Sequence, residues 1–184
     1  MKNSRRDCTI FLITAGIFIQ LLIFCTLSAG GNRPAPTREK QISGWLAMVR
    51  LSPGDLVFRA KLDTGAKNSS LNARNIVRYQ SNGEARVRFS VSDRYGKKHE
   101  MDRPLVREAQ IKLRNRQQST QSRPVIILGI CLGTVYKEVE VNLVDRTNFN
   151  YQMLIGRSYL RDDFLVDASE VFSLKPRCHI GEIK

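Results

Sequence analysis

Cysteine is scarce in this 184-residue chain: there are four, Cys8, Cys25, Cys131 and Cys178, and no Cys-x-x-Cys pair. That spacing excludes a zinc ribbon and a thioredoxin-type redox motif. Histidine is scarcer still, with only His99 and His179 and no His-Glu-x-x-His. Cys178 and His179 are adjacent, a poor geometry for joint chelation of one ion, and His99 reads as a solvated side chain in a charged turn. No Gly-x-x-x-x-Gly-Lys-Ser/Thr loop and no Gly-x-Ser-x-Gly elbow occurs, and no cysteine has a nearby histidine placed to act as its catalytic partner. The expectation is therefore no cofactor and no metal. Long runs of one charge are also missing, since no five or six basic residues stand together.

Basic residues are nevertheless abundant. Lys and Arg total 30 against 17 Asp and Glu, a formal net charge of +13. Such a balance suits anionic partners (nucleic acid, acidic lipid, an acidic cell-wall polymer) or a solvated basic surface. Arg86, Arg88 and Arg94 read as outward positions of a sheet, not as a groove-reading helix. No nucleic-acid partner is expected.

One apolar stretch is long. Ile10 to Leu27 is interrupted only by Thr14, Gly16, Gln20 and Thr26. As a helix it would span about 27 Å, close to the hydrocarbon thickness of a bilayer. Lys2, Arg5 and Arg6 before it favour a cytoplasmic N-terminus, although Arg33, Arg38 and Lys40 weaken the bias. Residues 1–29 read as an uncleaved signal anchor in preference to a cleaved signal peptide, because the apolar region exceeds an ordinary signal core and the small-residue pair for cleavage is imperfect. Either way the remainder is exported, as a periplasmic domain held by an inner-membrane helix or as a free periplasmic protein. Residues 30–42, with Pro34 and Pro36, form a linker, residues 43–176 a single domain and residues 177–184 a tail.

The domain reads as all-β. Trp45–Val49, Leu56–Leu62, Arg86–Val91, Pro124–Leu132 and Val135–Leu143 are strand candidates, several with period-two alternation. Ser52-Pro53-Gly54-Asp55, Ser81-Asn82-Gly83 and Arg94-Tyr95-Gly96-Lys97 are turns. Ile111–Leu113 begins a strand, Ser158–Asp162 is the one helix candidate, and Phe164–Val166 and Val171–Leu174 are closing strands. Short strands at close intervals indicate a barrel or sandwich. Cys131, within an apolar run, reads as a buried free thiol, and only Cys178 could bridge to it within the domain.

The chemistry concentrates at Asp63-Thr64-Gly65-Ala66, directly after the Leu56–Leu62 strand. A carboxylate at a strand-to-loop turn is buried yet reachable, and glycine allows a second carboxylate to approach. Two carboxylates about 3 Å apart cannot both ionise and share one proton. One then acts as base on a water while the other donates to the scissile carbonyl. Only one Asp-Thr-Gly occurs, so the mechanism requires two copies of the chain.

With Ala60-Lys61-Leu62-Asp63-Thr64-Gly65-Ala66-Lys67-Asn68-Ser69-Ser70-Leu71, followed by Arg123-Pro124-Val125, Met153-Leu154-Ile155-Gly156-Arg157-Ser158-Tyr159-Leu160 and Val166-Asp167, the chain resembles the retropepsins. More closely it is similar to the bacterial retropepsin-like aspartic endopeptidases long labelled ATP-dependent zinc proteases. The resemblance spans roughly Ser43 to Leu174. It implies a closed β-barrel with one short C-terminal helix, acting as a homodimer on a peptide or protein substrate. Asp63, Thr64 and Gly65 would be the catalytic loop, Ala66 and Lys67 would contact substrate, and Gly156 and Arg157 would begin a supporting helix. Arg157 would pair with a carboxylate at the dimer base or lie as a surface residue. Lys67 stands where retroviral enzymes carry an acidic residue, which suggests an acidic substrate. Asn115–Gln121 is the candidate tip of a flap, or a plain loop. The rival expectation is a non-catalytic envelope binding module on the same barrel.

Overall fold

The computed structural model describes residues 39–112, 120–145, 147 and 149–178. Eleven strands and one short helix follow in order: β1 (Gln41–Ser52), β2 (Leu56–Leu62), β3 (Ser69–Asn72), β4 (Arg74–Ser81), β5 (Glu84–Ser92), β6 (Lys98–Pro104), β7 (Arg107–Lys112), β8 (Thr120–Leu132), β9 (Val135–Val144), β10 (Met153–Ile155), α1 (Arg157–Leu160) and β11 (Phe164–Val171). The signal anchor, the residues expected at the flap tip up to Ser119, and His179 lie outside the described residues. Among the described residues no helix is long and apolar enough to cross a membrane.

Six strands close a barrel in the order β1-β2-β10-β3-β9-β8, and β1 meets β8 again through Arg50–Cys131, Leu51–Ile130 and Ser52–Gly129. β11 extends the sheet beside β1 and β7 extends it beside β8. β2 shows why the sequence takes this form. Phe58, Ala60 and Leu62 point into the core while Arg59 and Lys61 are exposed, so one residue of slippage would invert the strand. Phe58 joins Leu51, Leu71, Ile126, Leu128, Ile130, Met153, Ile155 and Tyr159 in a fully buried core. Truncating Phe58 to alanine there should cost about 3–5 kcal/mol. The Tyr159 hydroxyl donates to the Val135 carbonyl at 2.9 Å and accepts from the Leu132 amide at 3.1 Å, which satisfies it in the interior.

β4, β5 and β6 form a separate three-stranded sheet. Its inner face brings Val87, Phe89 and Val91 to the core. On the outer face Arg86 donates to Asp102, which also accepts from the Tyr79 hydroxyl, and the Arg88 guanidinium lies over the Tyr79 ring. β6 is almost wholly polar and was not expected as a strand. It forms because Met101 pairs with Phe89 and Asp102 with Arg88 across from β5.

Five expectations are corrected. Cys131 is not a free thiol: it forms a disulfide with Cys178. Arg94 lies in the β5–β6 turn and not on a strand. His99 is on β6, and its Nε2 lies 3.0 Å from the Asp93 carboxylate. The helix begins one residue earlier than expected and is shorter. The chain after β11 is not a strand beginning at Val171. It is a strap, held by Phe172 N–H to Leu46 O, Arg50 Nη2 to Pro176 O and Arg177 N–H to Gly133 O, each at 2.7 Å.

Candidate active site

β2 runs parallel to β10, with Leu62 opposite Ile155. The Asp63 amide continues that ladder by donating to Ile155 O at 2.8 Å. The chain then turns sharply, and the turn closes on the carboxylate. Asp63 Oδ1 accepts from the Gly65 amide at 2.9 Å and from the Ala66 amide at 3.2 Å. Oδ1 is thereby fixed, while Oδ2 meets no protein donor among the described residues. Thr64 and Gly65 are exposed, and Asp63 is half-buried.

Gly65 has an ordinary backbone conformation, but a Cβ there would stand 3.2 Å from Asp63 Oδ1. Gly156 is more tightly constrained. A Cβ there would come within 2.6 Å of the Asn68 carbonyl carbon and oxygen. This contact lets α1 sit directly under the loop. The Arg157 amide donates to Ala66 O and the Ser158 amide to Lys67 O, both at 2.9 Å, and Gly156 N–H donates to Ser69 Oγ at 3.2 Å. The Arg157 guanidinium reaches back to Thr64 O at 2.8 Å. Arg157 is exposed at the helix start, as the surface reading had it, and its guanidinium binds main chain of the Asp63 loop. Lys67 is exposed beyond the loop, and its charge adds to that of Arg107 in holding the Glu140 carboxyl below the usual range, with the Arg107 hydrogen bond the larger cause.

Beside Asp63 lies a groove of about 420 Å³ lined by Trp45, Lys61, Phe149, Asn150, Tyr151 and Leu154. Trp45 and Tyr151 meet edge to face with centroids 6.0 Å apart. These wall residues were not singled out from sequence. Lys61 was legible in principle, because it is two residues before Asp63 and so shares its face of β2. Leu154 lies opposite Lys61 across the β2–β10 ladder. Among the described residues no three His, Cys, Asp or Glu side chains gather as a metal site requires.

Residues 42–177 match the RimB-like family, described as retropepsin-like aspartic endopeptidase RimB. The chain belongs to this family. It is also similar to a solved structure from Legionella pneumophila, a protein of unknown function, at 33% identity and a TM-score of 0.63. That match covers 74% of this chain and all of the other. Among curated proteins, a probable alpha-L-glutamate ligase of Shewanella pealeana is 33% identical over 136 residues, 71% of this chain. One of Desulfotalea psychrophila is 30% identical over 142 residues, 76% of this chain. The matched part spans only 28% of the length of each of these relatives.

Proposed function

We propose that this member of the family is an aspartic endopeptidase whose carboxylate pair is formed by Asp63 from two copies of the chain. The observation that carries the reading is the fixed carboxylate: Oδ1 is held by two loop amides at the end of a buried strand, beside a groove with aromatic walls. Two such carboxylates sharing one proton would activate a water and polarise a peptide carbonyl. Exposure of Thr64 and Gly65 leaves the loop accessible to a second copy. Among the described residues β11 is the outermost strand of its sheet, and beside its edge the register partners Ile42 and Leu165 are 61% and 54% exposed.

A glutamate-rich peptide is the favoured substrate. Lys61 and Lys67 flank Asp63, and the ligase relatives are named for joining glutamate. The Cys131–Cys178 disulfide and the apolar Ile10–Leu27 together support an exported domain tethered at the inner membrane.

Asp63→Asn tests the assignment. Cleavage of a glutamate-containing peptide should vanish while native mass measurement still reports a dimer. Turnover retained in that variant, or a wild-type chain that stays monomeric while active, refutes it. The rival binding module rests on the basic charge balance and Lys67, and a chain that cleaves no peptide between about pH 3 and 8 and ignores pepstatin-type inhibitors would favour it.

A further inference from the structure

The β1–β2 ribbon carries a second depression. Its outward side chains fall in three rows: Trp45 and Lys61, which line one groove together, then Met48 opposite Arg59 and Arg50 opposite Val57 by the register. The first row belongs to the groove at Asp63. The last opens into a groove of about 370 Å³ lined by Met48, Arg50, Asp55, Val57, Arg94, Lys175 and Pro176. Arg59 stands between these two rows on β2, opposite Met48. From Asp63 to Val57 is six residues of strand, about 20 Å at ~3.3 Å per residue.

The charge of this second groove is strongly one-sided. Arg50 is anchored to Pro176 O at 2.7 Å and reaches Asp55 at 3.5 Å. Asp55 is 74% exposed and is the only carboxylate in the lining. Arg94 is exposed, stacked over the Tyr95 ring with its guanidinium 4.6 Å from the centroid, and pinned by its own amide to Val57 O at 3.0 Å. Among the described residues the side chains of Arg59, Lys61 and Lys175 meet no carboxylate. The floor, Met48, Val57 and Pro176, is apolar. Cations around an apolar floor match side chains with a hydrocarbon stem and an anionic tip. Three elements remote in sequence converge to build it: the β1–β2 ribbon, the β5–β6 turn and the strap after β11. The disulfide fixes the strap by its last described residue.

We infer that this groove is an exosite that holds an acidic segment of the substrate about six residues from the scissile bond. The inference rests on the peptidase reading for what the segment is attached to, but the groove itself is a binding site separate from Asp63. Extended peptide lying along the outer face of β2 would place its reacting bond at Asp63 and its acidic residues among Arg50, Arg94 and Lys175.

The test uses the full chain in detergent and two peptides with the same cleavable core. One carries four glutamates about six residues from the core and the other four glutamines. Wild type should prefer the acidic peptide by about tenfold in kcat/KM, mostly through KM, and the preference should shrink as salt rises. Arg94→Glu with Lys175→Glu should reduce that ratio to about one. An unchanged ratio in the double variant, or no preference in wild type, overturns the exosite. Anisotropy of the labelled acidic peptide on the Asp63→Asn protein separates this from the peptidase reading. Binding lost on charge reversal upholds the groove even if no peptide is cleaved. If vesicles containing anionic lipid bind through Arg94 and Lys175 while the acidic peptide does not, the groove serves a membrane surface and the inference fails.

Discussion

Arg157 donates to the carbonyl of Thr64 at 2.8 Å, so the first residue of α1 holds the main chain between Asp63 and Gly65. The helix is only Arg157–Leu160, and its worth lies in what its start touches. Two amides and one guanidinium of that start meet three loop carbonyls, those of Thr64, Ala66 and Lys67, within a four-residue span. Replacing Arg157 with alanine frees the Thr64 carbonyl and lets the carboxylate wander. Because the side chain is exposed, the stability cost should be only about 1 kcal/mol. The rate should suffer more: kcat should fall about tenfold or more, with KM little changed. Arg157→Lys should restore part of kcat, since a cation still reaches the carbonyl. A fall in KM affinity alone would place Arg157 in substrate binding instead.

The same substitution at two glycines should separate folding from chemistry. Gly156→Ala drives a methyl into the Asn68 backbone at 2.6 Å, where no side chain can move aside. Overpacking of that kind costs about 1–3 kcal/mol, so the denaturation midpoint should drop. Gly65→Ala meets only the Asp63 carboxylate, at 3.2 Å. Its stability should stay within about 0.5 kcal/mol of wild type while turnover falls at least about tenfold. Denaturant titration and peptide cleavage on the same samples decide both.

The alternation of Leu56–Leu62 made β2 and the position of Asp63 readable, because a strand with one buried face advertises its register. Leu154-Ile155-Gly156 was readable for the same reason: two apolar residues meet a glycine that no larger residue could replace. β4 and β6 were not. Their outer face is solvated and its charges are paired across strands, as Arg86 and Asp102 are, so apolar alternation is weak. The groove wall was hidden because Trp45 and Tyr151 are far apart in sequence and meet only through the β1–β2–β10 order. The Cys131–Cys178 pair was readable as the one bridge open to the domain, but with 47 residues between them and Cys131 in an apolar run the free thiol was the favoured reading; the strap after β11 brings the two together.

That disulfide should contribute substantially to stability. Cross-linking residues 47 apart removes loop-closure freedom from the unfolded chain. Both sulfurs are buried, so a double alanine variant avoids leaving a polar group in the core. Cys131→Ala with Cys178→Ala should lose about 2–4 kcal/mol. Reductant should lower the denaturation midpoint of wild type toward that of the variant and leave the variant unmoved. A variant as stable as wild type would mean the strap is held by its hydrogen bonds alone, that from the Arg50 guanidinium included.

Acid sensitivity should centre on Asp93. Its carboxylate accepts from His99 and from the amides of Tyr95 and Lys97, and its carbonyl accepts from Gln152 Nε2 at 3.2 Å. The β5–β6 turn is thus tied to the loop that carries Tyr151. His99 is the largest cause holding the Asp93 carboxyl below the ordinary carboxylate range, with the two amides adding to it. A carboxylate with a depressed folded-state pKa stabilises above its unfolded pKa, and that stability is lost as pH falls through the folded value. The Tyr79 hydroxyl, with Arg86 adding to it, lowers the Asp102 carboxyl in the same direction, and Arg107 lowers that of Glu140. Asp93→Asn should therefore be less stable than wild type at about pH 7, and the gap should close as pH falls below the ordinary carboxylate range. Thermal midpoints across that range provide the measurement, and a gap that stays constant with pH would show that the Asp93 charge plays no part. Because the loss lies below the ordinary carboxylate range, an aspartic peptidase working at mildly acid pH would keep its groove wall in place.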